Sequence, residues 1–282
     1  MGAGNANNIF LRTKDFSVTG EDFELHYREE LEMLITHPQP RNLSRYYASE
    51  DYISHTDSDQ GLINNIYQRI KKHNLQKKVK LIDSLASGRK SLLDVGAGTG
   101  DFLLAAKERG WKIQGVEPNL AAQERATAKG ILLLDDLEEI RSEKFQTITL
   151  WHVLEHLPNL EKQLQKLVSL MEDTGSLVVA VPNFKSYDAA HYKKFWAAYD
   201  VPRHLWHFSR TSIEKLFSEY SLKVVKTKPM VFDAFYVSLL SEKYKSGKQH
   251  FVKAFLIGLV SNILAWRSKE YSSIIYILKK GQ

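Results

Sequence analysis

Two carboxylates and three glycines are the residues of this chain best spaced to do chemistry. Asp94-Val95-Gly96-Ala97-Gly98-Thr99-Gly100 closes a short apolar run with one acid and then alternates glycine with single residues. Glycine admits φ > 0 and has no Cβ to hold a ligand off the backbone. An apolar run, a glycine turn and a helix together let a parallel sheet offer N–H groups and a helix N-terminus to a ligand. Glu117 ends the next apolar run, Lys112-Ile113-Gln114-Gly115-Val116. In a doubly wound sheet it stands beside the glycine turn, where its carboxylate can accept both hydroxyls of a ribose. The third glycine discriminates between cofactors. A dinucleotide fingerprint wants it at position 101, but that residue is Asp101 and the glycine comes one position early, at Gly100. This spacing disfavours a nicotinamide-dependent oxidoreductase.

Two further clusters hold groups that move protons. His152 and His156 lie four residues apart in Trp151-His152-Val153-Leu154-Glu155-His156 and could share a helix face as a zinc pair does. No third ligand stands at a recognisable spacing, so no metal site is assigned. His152 reads as a packing or cofactor contact and His156 as a proton acceptor. The second cluster is Asp200-Val201-Pro202-Arg203-His204, which follows Phe184, Tyr187, Tyr192, Phe195, Trp196 and Tyr199. So much aromatic area with interleaved charge reads as the wall of a pocket. Arg203 could clamp an anionic group, and Asp200, His204 or His207 could carry a proton. The other reading is a buried Asp200–Arg203 ion pair that shapes the loop. Upstream, Tyr46, Tyr52 and His55 beside acids point to a segment folded over a cofactor.

The glycine turn with an acid in its own strand, joined to the Trp151–His156 segment, resembles the S-adenosylmethionine (SAM) site of class I methyltransferases. The ubiquinone-pathway O-methyltransferases are similar, and the resemblance covers roughly residues 45–230. It implies SAM as methyl donor and S-adenosylhomocysteine (SAH) as product. By that resemblance Asp94, Gly96, Ala97, Gly98 and Gly100 hold the amino-acid end of the cofactor, and Glu117 and Pro118 hold the ribose. Asp135 or Asp136 accepts from the adenine amino group, with Leu137 packed on the ring; those two acids could equally cap the turn that follows. Trp151 and His152 complete the rim, while Tyr46 and His55 close over the methionine end. Relatives place an Asp-x-Pro-Arg-His stretch over the active site, which makes Asp200, Arg203 and His204 catalytic candidates beside His156. The implied acceptor is an oxygen of a small-molecule, glycan-like or lipid-like compound, with carbon and nitrogen left open. A non-catalytic SAM-fold binding module is the alternative.

The elements that must position these residues alternate strand and helix. Strands are expected near 91–95, 112–117, 131–134, 146–151, 176–181, 222–228 and 272–278, with helices near 101–109, 119–128 and 160–171. The predicted fold is α/β: a Rossmann-like, seven-stranded, mostly parallel sheet with helices on both faces. Residues 1–44 form an N-terminal extension whose first twenty residues read as loose. Its later part resembles the zinc ribbon ahead of some methyltransferase domains, but Arg28 and Leu31 stand where cysteines would, so it has no metal. Residues 45–90 read as a helical, cofactor-covering segment. Residues 91–282 form the SAM-binding domain, with a substrate loop at 183–209 and a helical insertion at 232–268. Within the insertion, Phe251 to Trp266 is apolar almost all round and too short to span a bilayer. Such a helix is usually buried, so a hairpin over the substrate pocket is expected. A dimer contact, or docking on a lipid surface through Lys243, Lys245, Lys248 and Lys253, is the rival.

At 282 residues, 43% hydrophobic and 26% charged, the chain can bury a sizeable core. The net charge of +6 is dispersed, which fits a solvated surface and no nucleic-acid partner. With no cysteine, disulfides and cysteine metal sites are excluded. The N-terminus lacks the basic and apolar regions of a signal peptide, so a cytoplasmic location is expected. The oligomeric state is not legible.

Overall fold

The computed structural model describes residues 8–47 and 62–281. A six-stranded mixed sheet forms its centre. In spatial order the strands are β5 (Lys112–Val116), β4 (Ser91–Val95), β6 (Phe145–Trp151), β7 (Met171–Pro182), β10 (Ser273–Lys280) and β9 (Leu222–Pro229). The first four are parallel, and β10 runs antiparallel to both neighbours. All five residues of β4 are buried, as are the first six of β6. Strands covered on both faces read as continuous apolar runs, which is how they are recognised in the sequence. The order reverses at β4, so its carboxyl end opens onto the crevice where such sheets take ligands.

The seventh expected strand does not form. Leu134 alone bridges Val116 in parallel, and Leu132 is 79% exposed. Two backbone bonds, Leu134 N–H to Gly115 O and Glu117 N–H to Leu134 O, fasten this stretch to the sheet edge. The capped turn at Asp136 follows at once and leaves no length for a longer ladder.

Helices α1 (Leu62–Leu85), α2 (Asp101–Lys107), α3 (Leu120–Thr127) and α4 (Leu160–Ser169) alternate with the strands. Asn119 caps α3 by accepting from Ala122 N–H. Leu160, Leu164 and Leu167 turn one stripe of α4 into the core. Further on come α5 (Tyr187–Tyr192), α6 (Arg210–Ser218), α7 (Asp233–Ser246) and α8 (Phe251–Ser268), with Ser209 starting α6 in a reciprocal cap with Ser212.

In the N-terminal extension the described residues form regular strands where the sequence reads as loose up to residue 20; residues 1–7 lie outside the described residues. β1 (Ile9–Lys14), β2 (Asp22–Arg28) and β3 (Met33–His37) form an antiparallel meander, and β8 (Trp206–His207) adds to it as a fourth strand. A second core lies under this sheet. Phe23, Leu25, Leu34 and Tyr46 pack there against Tyr192, Trp196 and Tyr199 of the aromatic stretch. That packing corrects the reading of 183–209 as pocket wall: these rings fill a core, because the small sheet gives them an apolar face to cover.

Candidate active site

The glycine turn follows directly from β4. Gly96, Gly98 and Gly100 all have positive φ, at 70°, 54° and 75°. A Cβ on Gly96 would stand 2.4 Å from Val153 Cγ2, whereas one on Gly98 would meet only open space. Gly96 is therefore fixed by packing, and Gly98 presents bare backbone to the crevice. Gly96 and Ala97 donate to Val116 O, which ties the turn to β5. Glu117 closes the cradle: its Oε2 accepts from Gly98 N–H at 2.8 Å and its Oε1 from Asn119 N–H at 3.0 Å. Each of those carboxylate oxygens keeps a lone pair for a ribose hydroxyl. Pro118 is exposed beside it. Asp94 is buried beneath the turn and accepts from Thr149 Oγ1 at 2.5 Å. Burial pushes its carboxyl up to about 7, against the Thr149 hydrogen bond and the nearby Lys78 ammonium.

The adenine side is built from a cap. Asp136 accepts from Glu138 N–H at 2.8 Å, and Glu139 returns a carboxylate to the N–H groups of Asp135 and Asp136. Asp135 is held by Gln123 Nε2 at 2.7 Å. Leu137 is buried in the main core with Val116 and Ile140. On the other rim Trp151 lies edge-on to Phe102, with Lys78 Nζ 4.4 Å from its ring centre. The buried Trp151 Nε1 has no hydrogen-bond partner among the described residues.

At the end of β6, His152 adopts φ 58° and sits between two carboxylates. Glu155 Oε1 is 3.3 Å from Nδ1 and Asp233 Oδ2 is 3.1 Å from Nε2. Burial alone would lower this imidazole, but its hydrogen bonds to Asp233 and Glu155 raise it to about 10. It is therefore an imidazolium at neutral pH. His156 is the opposite case: burial and the neighbouring His204 lower it to about 4. Its Nδ1 lies 3.0 Å from Arg203 O, which can only accept, so Nδ1 carries the hydrogen and Nε2 the lone pair. Tyr47 OH is 3.1 Å from the same Nδ1. His204 is fixed likewise, with Nδ1 donating to Ala198 O at 2.9 Å. Its ring meets that of His156 edge to face at 4.5 Å. Ligand atoms of Glu155, His156 and His204 all lie within 4.8 Å of one another, and the buried Glu155 Oε2 has no partner among the described residues. The sequence reading missed Glu155; its position three residues after His152, on the same turn, is the signal that could have found it.

Arg203 and Asp200 are not open to a substrate. Arg203 is 1% exposed. Its Nε and Nη2 fork onto Asp200, at 2.7 Å for the shortest contact, Nη2 reaches Asp15 at 2.9 Å and bonds Ser17, and Nη1 donates to Tyr46 O at 2.8 Å. Asp15, despite its burial, is drawn down to about 2 by Arg203. The crevice beside them, lined by Tyr199, Asp200, Arg203 and Tyr244, encloses about 10 Å³, room for no more than a water. Of the two readings offered by the sequence, the structure selects the buried ion pair. Arg203 is thus corrected from catalytic candidate to the bolt between the 183–209 loop and the N-terminal sheet. Asp200, held in the same fork, positions that loop; its Oδ2 stands 4.0 Å from His204 Nε2. Tyr46 is corrected too. Its hydroxyl donates to Glu21 at 2.6 Å and its ring packs on Phe23, so it is spent on the second core. His55 and Tyr52 lie outside the described residues.

Residues 67–227 match a family model described as a methyltransferase domain. Among solved structures, the chain is similar to magnesium protoporphyrin IX methyltransferase from Synechocystis PCC 6803 with bound SAH. That match has TM-score 0.55 and 14% identity, over 84% of this chain and 97% of that one. It is similar to geranyl diphosphate C-methyltransferase from Streptomyces coelicolor A3(2), with TM-score 0.55 and 13% identity over 81% and 88%. It is also similar to the plantazolicin methyltransferase in complex with SAH, with TM-score 0.54 and 14% identity over 84% and 93%. A comparison with curated protein sequences finds no match.

Proposed function

The chain belongs to the methyltransferase-domain family and uses SAM, and on that premise we propose that it methylates an oxygen of a small-molecule, glycan-like or lipid-like acceptor. The observation supporting this is one rim that carries both the glycine cradle of β4 and β5 and, at the end of β6, an imidazole held neutral by burial. SAM supplies a methyl group already activated by its sulfonium, so the chain has to align the acceptor and remove its proton. Asp94 faces the ammonium of the cofactor and Glu117 its ribose hydroxyls. His156 accepts the proton at Nε2, with its ring orientation set by Arg203 O. An imidazole lowered to about 4 is always available but weakly basic.

Calorimetric titration with SAH tests the cofactor site: binding is expected, with a loss of about tenfold or more for Glu117→Ala. Labelled methyl transfer into cell extract fractionated by polarity then locates the acceptor. His156→Gln is expected to keep SAH affinity and lower turnover about a hundredfold. Wild-type protein that takes up no SAH would overturn the reading, and unchanged turnover in His156→Gln would remove the proton acceptor.

A further inference from the structure

Helix α8 is built inside out. The stripe it turns toward the protein is Ala254, Gly258, Ser261 and Ala265. Gly258 comes so close to α7 that a Cβ would stand 2.8 Å from the Phe235 ring and 3.0 Å from its Cα. The outward face carries Phe251, Val252, Phe255, Leu256, Ile263 and Trp266, each more than half exposed. A surface helix of a soluble protein does the reverse, with bulky apolar residues inward and polar ones outward. Small residues at the helix contact and large ones outside is the arrangement of helices packed in lipid. An apolar patch of this extent marks an interaction surface.

The topology and the charges say what covers it. The helix runs to Ser268, longer than the 251–266 stretch read from the sequence, which corrects the reading of it as too short: by length and composition it could cross a membrane, with mean hydropathy 1.3 over 18 residues. It cannot cross, because both ends are held on one body. Residues 247–250 join it to α7, and residues 269–272 lead into β10, which pairs with β7 and β9 in the central sheet. It therefore lies along a surface. Lys243, Lys245 and Lys248 are exposed just before it, and Arg267 and Lys269 at its end. An open cleft of about 850 Å³ at its start combines Lys245 and His250 with Phe251, Val252 and Leu256. A second copy packed face to face, in either direction, would set one basic end against another. An anionic bilayer complements both the apolar face and its basic rim.

We propose that the outward face of α8 docks this protein on the surface of an anionic phospholipid membrane, the helix lying in the plane of the interface. The inference does not depend on which acceptor the enzyme methylates. The test is flotation of the full-length protein with phosphatidylcholine vesicles containing about one-third phosphatidylglycerol, compared with phosphatidylcholine alone. The wild type is expected to float with the anionic vesicles, with a blue shift in tryptophan emission that Trp266→Ala removes. Lys245→Glu with Lys248→Glu is expected to weaken partitioning about tenfold or more. Phe255→Glu with Leu259→Glu and Ile263→Glu is expected to abolish it while SAH binding, read by calorimetry, is unchanged. Wild-type protein that stays at the bottom of both gradients overturns the proposal, as does a triple variant that still floats. A dimer in light scattering that the triple variant dissolves, without any vesicle binding, would assign the face to a second copy.

Discussion

Glycines 96 and 98 have the same sign of φ but opposite surroundings, and their substitutions should separate stability from binding. Gly96→Ala puts a methyl 2.4 Å from Val153 Cγ2 and is expected to cost about 2–4 kcal/mol of stability, read by denaturant unfolding. Gly98→Ala meets no atom, so its main effect should fall on SAH affinity, with about 1 kcal/mol lost to backbone strain. Asp94 gives a pH signature. With its carboxyl raised to about 7, the ionised form that suits the cofactor's ammonium becomes the major species only above that pH. SAH affinity should rise with pH by up to about tenfold per unit below pH 7 and level off above it, and Asp94→Asn should flatten the profile. His152 works the other way. Its folded value of about 10 exceeds the unfolded one, so its contribution to stability is complete below about 6.5 and lost as pH rises through 10. Asp233→Asn should lower the melting temperature at pH 7, and the gap from wild type should close near pH 10. The residues of the cradle were legible because a glycine turn is local. The partners of Arg203 were not: Asp15 lies 188 positions away, and no local pattern announces such a pair.

Among the elements, the 183–209 loop is held by a strand pair and a bolt. Leu34 and Ile35 of β3 pair with His207 and Trp206 of β8, and Arg203 ties the same loop to Asp15 and to Tyr46 O. Breaking a buried ion pair by removing one partner leaves the other charge stranded. Arg203→Ala is expected to destabilise by about 3–5 kcal/mol, with methyl transfer falling further than SAH affinity, because the loop carries His204 and not the cradle. Thermal unfolding and calorimetry together check it. The parallel strands were readable as buried apolar runs, but the 131–134 run was not, because an edge position gives Leu132 no cover. α8 shows the limit of composition most clearly. An apolar helix in sequence implies burial, and only the packing shows that its small residues, not its large ones, face inward.

For the whole molecule, two of the apolar clusters divide the labour. One lies in the central sheet and holds the cradle; the other, under the N-terminal sheet, holds the loop beside His156 and His204. The insertion bridges them. Ser241 Oγ accepts from Ala197 N–H, Ser261 donates to Asp188, and Asp233 reaches His152. The insertion also leaves and re-enters the sheet at a single point, since Pro229 pairs with Ile274 and Met230 N–H donates to Ser273 O. Topologically, β9 and β10 are a hairpin whose turn has swollen into two helices. A graft spliced between Met230 and Ser272 therefore inherits closed ends, but it must keep an acid at the Asp233 position, because the module reaches back to His152 at the rim.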